Sequence, residues 1–365
     1  MPDTSSQPQP FDLDTIAFFT NLPGYLGFHP SNIVAMLMRT EASNPTGPYG
    51  AYHPEQTFKA ALLIRNLDKP DELADDIRNV LVEDTDVEWV DFFFISPEWA
   101  HPVTTTLGED LAAVVRTAGV KLGVVAGVAA ISPGTEIYTP DGCMVGWVGD
   151  PAQSCSALAL AQSGEAIAPD FAALAQRFEP DPFAPQELIQ DVVAQVQAQW
   201  QEILRTEVPQ ETWRRRQRWW RQWNNLVDAI DAGKRPICDI LSDREAIEIV
   251  AQSLCDLTIR DMTMSVISDY DREPVVRAIW LAAGRCLGGE LRAHALACYA
   301  LDRYAMGSYT AAQYALEAAA QTFPGHNLSS LLSRAINTGQ GDMAVSTMLS
   351  TSYELIKEMA PHHSL

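Results

Sequence analysis

A chain of 365 residues, 47% hydrophobic and 20% charged, has ordinary globular composition and room for about two domains at roughly 150 residues each. Its net charge of −22 is gathered at the front: residues 1–185 hold 8 Lys and Arg against 25 Asp and Glu, whereas residues 186–365 hold 17 against 22. So acidic a surface repels phosphate backbones and argues against nucleic acid as a partner, and no apolar run reaches the ~18 residues needed to span a bilayer.

Met1–Pro10 is polar, with no basic start or apolar core of a secretory signal, and reads as a disordered tail. The six cysteines include no Cys-x-x-Cys pair. They read as free thiols of a cytoplasmic protein.

Asp12 fits the N-cap of a helix running through Leu13, Ile16 and Phe19 and ending at Leu22-Pro23-Gly24. Strands fit Asn32–Arg39, Thr57–Arg65, Val87–Ser96 and Val120–Ile131, with helices between them at Asp71–Val82 and Leu107–Ala118. The strand segments are almost continuously apolar, as strands buried on both faces are. The alternation predicts an α/β domain over residues 11–178, with a mixed or mostly parallel sheet and flanking helices. Glu136–Tyr138 and Met144–Val148 flank Thr139-Pro140-Asp141-Gly142-Cys143, which predicts an edge hairpin.

Three prolines in Glu179–Pro185 forbid a continuous helix, so residues 179–186 are expected to be a linker. An all-α domain is predicted over 187–360. Leu188, Val192, Val196 and Trp200 recur every fourth residue, and Ser242-Asp243-Arg244-Glu245 has the form of a capping box. The spacing gives about eight helices. Ala300, Tyr304, Gly307-Ser308-Tyr309, Ala312, Ala319 and Pro324 match one tetratricopeptide-like helical hairpin.

The run Leu22-Pro23-Gly24-Tyr25-Leu26-Gly27-Phe28-His29-Pro30-Ser31 before an apolar strand resembles the start of an actinobacterial family, domain of unknown function 4192. Ile64-Arg65-Asn66-Leu67, Ile259-Arg260-Asp261 and the stretch from Ala278 to Ile336 are also similar to it. The chain differs from the family pattern at Ser132–Tyr138 and Pro169-Asp170. The resemblance implies an actinobacterial, cytoplasmic protein and no known activity.

Dinucleotide, phosphate-loop, nucleophile-elbow and zinc-protease motifs are absent, so no cofactor and no catalytic residue is implied. His362-His363 in a terminal segment reads as solvated rather than as a metal site. His29 stands at the entry to a predicted buried strand, where its ring either caps the turn or meets a ligand. Glu98, His101 and Asp110 follow the strand ending at Ser96, and open α/β sheets bind ligands at such ends. His29, Glu98 and His101 are therefore candidate pocket residues.

Five of the 25 basic residues lie in Trp213–Trp223. On a helix, Trp213, Trp220, Trp223, Val227 and Ile230 share one broad face and Arg214, Arg218 and Arg221 another. Arg214, Arg215, Arg218 and Arg221 form a candidate interaction surface; the competing reading pairs these arginines with the protein's own carboxylates. Two functions fit: a non-enzymatic binding or scaffold protein that uses its helical half to engage another protein, or an enzyme or small-ligand sensor with a pocket at the strand ends.

Overall fold

The computed structural model describes residues 15–39, 60–67, 70–83, 87–97, 106–162, 164–206, 208–269, 271–338 and 340–359. The chain divides into two compact units, Met1–Phe171 and Ala172–Leu365. No helix among the described residues is long and apolar enough to cross a membrane.

The first unit holds a six-stranded sheet in the order β2-β1-β3-β4-β5-β6: β1 (Ile33–Arg39), β2 (Ala60–Asn66), β3 (Trp89–Ile95), β4 (Lys121–Val128), β5 (Glu136–Tyr138) and β6 (Met144–Trp147). The sheet is mixed. Only β3 and β4 run parallel, joined through α3 (Thr106–Thr117), whereas β1 pairs antiparallel with both β2 and β3. The apolar continuity of the strands therefore does not come from parallel pairing. It comes from helices on both faces.

On one face Val34, Met36, Phe92 and Phe94 pack with Ile77 of α2 (Pro70–Glu83) and Val115 of α3. On the other, Phe93 stacks at 3.7 Å on Phe18 of α1 (Thr15–Leu26) and meets Phe19 edge-on. The hairpin closes as expected: Gly142 adopts φ +79°, and Thr139 N–H donates to Cys143 O at 2.9 Å.

Two local expectations change. The first helix does not stop at Pro23 but continues to Leu26. Packing on α4 (Cys155–Gln162) holds that last turn, because Ser156 N–H donates to Asn21 Oδ1 and Ser156 Oγ to Asn21 O, and a Cβ on Gly24 would lie 2.3 Å from Ser156 Oγ. Its proposed cap, Asp12, lies outside the described residues.

Asp91 is a carboxylate with no exposure inside β3, at the point where the β3–β4 register shifts. It accepts from Val124 N–H at 2.7 Å and Arg39 Nη2 at 2.9 Å, so it satisfies the backbone group that the irregularity leaves unpaired. A Cβ on Gly123 would come within 2.1 Å of Asp91 Oδ1. Asp91→Ala is expected to cost about 3 kcal/mol by stranding Arg39, read as a lower urea midpoint with unchanged slope.

The second unit is helical. From Gln186 onward its described residues form nine α-helices: α6 (Gln186–Thr206), α7 (Pro209–Asp231), α8 (Arg244–Cys255), α9 (Leu257–Thr263), α10 (Glu273–Cys286), α11 (Gly289–Ala305), α12 (Tyr309–Thr322), α13 (Asn327–Asn337) and α14 (Gly341–Met359). They follow the short α5 (Phe171–Gln176).

Asp243, not Ser242, caps α8, accepting from Ala246 N–H. The tetratricopeptide-like hairpin is α11 and α12, turned at Gly307 with φ +77°. Ala293, Ala297 and Ala300 are buried on α11, as are Ala311, Ala315 and Ala319 on α12, and small side chains let the two backbones approach.

The proline-rich segment belongs to this unit. Phe178 is buried in the helical core with its ring 5.6 Å from Tyr299; its carbonyl accepts from Arg292 Nη2, and Asp181 N–H donates to Arg285 O. The two units meet at Phe171 and Ala172, before residues 179–186, and the bond from Asp181 N–H to Arg285 O ties that segment to the helices. A fragment beginning at Ala172 is expected to unfold cooperatively, whereas one beginning at Glu187 should lose about 3–5 kcal/mol with Phe178. Denaturant titration of the two fragments checks this.

Candidate interaction surface

The sheet places β1's start beside β3's end: Ile33 pairs with Ile95, and Ile95 with Val128. Ser96 Oγ donates to Asn32 Oδ1 at 3.1 Å, and Asn32 holds φ +52°, a left-handed conformation that few non-glycine residues adopt. His29 is exposed, with its backbone N–H bonded to Ala168 O, three residues before that point. Glu98 and His101 lie outside the described residues, and Asp110 is exposed on α3. No cluster of His, Cys, Asp and Glu that could hold a metal occurs among the described residues.

Helix α7 resolves its arginines into two groups. Arg215 is buried, so it does not belong to a surface. Its guanidinium lies 4.4 Å from the Trp219 ring and 4.9 Å from the Trp200 ring on α6, and Nη1 donates to Asp256 at 2.9 Å. Arg216 Nε donates to the same carboxylate oxygen at 2.8 Å. Asp256 also caps α9 by accepting from Thr258 N–H. Burial works to raise its pKa, but the bonds from Arg216 and Arg215 outweigh burial and hold it below the usual carboxylate range.

Arg214, Arg218 and Arg221, by contrast, are exposed and make no ion pair with any described residue. At positions i, i+4 and i+7 they form one stripe about 10 Å long, given a rise of 1.5 Å per residue. The tryptophans of α7 divide as well. Trp219 and Trp223 are the buried ones, while Trp213 and Trp220 are half-buried.

Beside the stripe lies a cleft of about 330 Å³ between α7, the turn after α9, α10 and α14. Trp220, Trp223, Val227, Val266, Tyr353 and Ile356 form its apolar wall. Arg272 stands at one side, held by Asp228 at 2.8 Å and Asn224 at 3.1 Å, and its buried Nε has no hydrogen-bond partner among the described residues. Asp269 lies on the rim too.

Residues 17–341 match the model of a family described as a domain of unknown function, DUF4192. The chain belongs to that family. No curated protein and no solved structure matches it.

In this DUF4192 chain the most connected polar groups are ones that sequence reasoning passed over. His294 and His326 are both buried, with rings 4.6 Å apart. His294 Nδ1 accepts from Arg260 Nη1 at 2.9 Å and stands 2.7 Å from His326 Nε2. His326 Nδ1 in turn accepts from Ser329 N–H at the start of α13. These contacts put the proton of each ring on Nε2 and link α9, α11 and α13.

Burial, reinforced by Arg260 and His326, pulls His294 down to about 3. Burial and Arg260 pull His326 down to about 4. Both rings are neutral near pH 7, and their role is to join helices. Gly325 before His326, at φ +85°, was the available signal, since it stops α12 and leaves the next side chain to cap α13.

A second buried group lies in α10 and α11. Glu273 Oε1 accepts from Arg303 Nη2 at 2.7 Å and Arg277 Nη1 at 3.0 Å, while Asp302 pairs with Arg303. Burial pushes Asp302 up to about 7 against the pull of Arg303.

Proposed function

We propose that the protein is a non-enzymatic binding protein whose helical unit recognises another protein through α7. The observation that carries this reading is the exposed stripe Arg214, Arg218 and Arg221, which lacks carboxylate partners among the described residues in a chain with 47 acidic and 25 basic residues. In such a chain an arginine that serves stability has many acids to pair with, as Arg215 does; three in a row left open on a long helix serve an external anion.

Rigidity adds to the argument. The opposite face of α7 is pinned by Arg215, Trp219, Trp223 and Leu226, so the stripe is held in place before any partner arrives. Charge reversal at Arg214, Arg218 and Arg221 together is expected to leave the melting temperature within a few degrees of wild type, since surface changes usually cost less than ~0.5 kcal/mol each. The same variant should lose the partners that wild-type protein retains from its source cell, most strongly at low salt. A variant that is folded and retains every partner would refute the reading.

A further inference from the structure

We infer that the partner segment is an acidic amphipathic helix, which sets carboxylates on Arg214, Arg218 and Arg221 and inserts an apolar side chain into the cleft beside Trp220. This inference rests on the reading of α7 as a recognition helix and adds the chemistry of what it recognises.

Two neighbouring features of different character fix that chemistry. The stripe supplies positive charge over two helical turns, which matches carboxylates at i, i+3 or i+4, and i+7 of a second helix. The cleft supplies an apolar wall, with Trp220 half-buried and Tyr353 41% exposed, on the flank of the same helix. On α7 the cleft residue Asn224 stands three positions after Arg221, its neighbour one turn along the helix surface, so the cleft borders the end of the stripe. A groove of this kind is how helices receive amphipathic segments, read by anchors at helical spacing.

Charge decides against the other anionic macromolecules. A nucleic acid or an anionic membrane is an extended polyanion and would also face the rest of the helical half, where 22 Asp and Glu outnumber 17 Lys and Arg. A short acidic segment meets the stripe alone, since screening confines its field to about 8 Å at physiological salt. Asp269 at the cleft sets the orientation: it repels carboxylates there, so the segment's acids lie on the arginine side and its apolar side chain enters.

The test uses the full chain and a fluorescein-labelled synthetic helix with leucine and phenylalanine at helical spacing on a glutamate-rich background, followed by fluorescence anisotropy. Saturable binding is expected, weakened at least tenfold by combined charge reversal of Arg214, Arg218 and Arg221. Trp220→Ala should weaken it by a similar factor. Tyr353→Ala, at an exposed position that leaves the core intact, should weaken it severalfold and serves if the Trp220 variant fails to fold.

An all-glutamate peptide should bind more weakly and be indifferent to Tyr353→Ala. If the two peptides bind equally and neither responds to the cleft variants, the amphipathic inference is overturned while the arginine surface stands. If binding ignores the arginines, the recognition reading itself fails. Tighter, arginine-dependent binding of single-stranded DNA or phosphatidylserine vesicles than of the amphipathic peptide would also overturn the inference.

Discussion

Lowering the pH from 7 to 4 should destabilise the helical unit by about 3 kcal/mol for each of His294 and His326. Both rings have native pKa values pulled below the 6.5 of an exposed histidine, to about 3 and about 4. An unfolded chain therefore binds protons that the native state refuses. The stability they contribute is complete above pH 6.5 and is lost as the pH falls towards 3. Protonation would set imidazolium charges beside the Arg260 guanidinium in a buried site, which is why the native state resists it.

Asp302 works in the opposite direction, since burial raises it to about 7 and acidification relieves its charge. A double variant, His294→Gln with His326→Asn, isolates the histidines. Denaturant titrations at pH 7 and pH 4 should give a much smaller drop for the variant than for wild type. Equal drops would mean that the pair does not govern acid stability.

Charge reversal at Arg215 should cost at least 3–5 kcal/mol, whereas the same change at Arg218 should cost less than ~0.5 kcal/mol, although the two stand three residues apart on one helix. Arg215→Glu would bring a carboxylate to Asp256, which has no exposure, and would remove the guanidinium that packs against Trp200 and Trp219. Arg218 faces solvent. Thermal unfolding of the two single variants reads the difference directly. A stable Arg215→Glu protein would show that the Asp256 node contributes little to stability. Trp219→Ala belongs with Arg215, at about 3–5 kcal/mol, and Trp220→Ala should cost less because its ring is only half-buried.

Most element positions could be read from the sequence, because local pattern and covalent constraint determine them. The apolar segments from Asn32 to Ile131 became strands, the Pro-Asp-Gly hairpin closed where its turn residues stand, and the alanine-rich hairpin formed at Gly307. These depend on side-chain period, on β-branching and on a few positive-φ glycines, all of which the sequence displays.

Tertiary structure alone decided three other matters. Strand direction was one, since a strand buried on both faces reads the same whether its neighbour is parallel or antiparallel. The continuation of α1 past Pro23 was another, held by Ser156 from 135 residues further along the chain. The last was the sorting of one arginine cluster into a buried pair and an open stripe. Helical spacing puts Arg215 within 100° of Arg214, and only the position of Asp256, 41 residues away, determines which of them turns inward. His294 and His326, 32 residues apart and on different helices, met for the same reason: long-range packing, not local pattern, chooses the partners of buried polar groups.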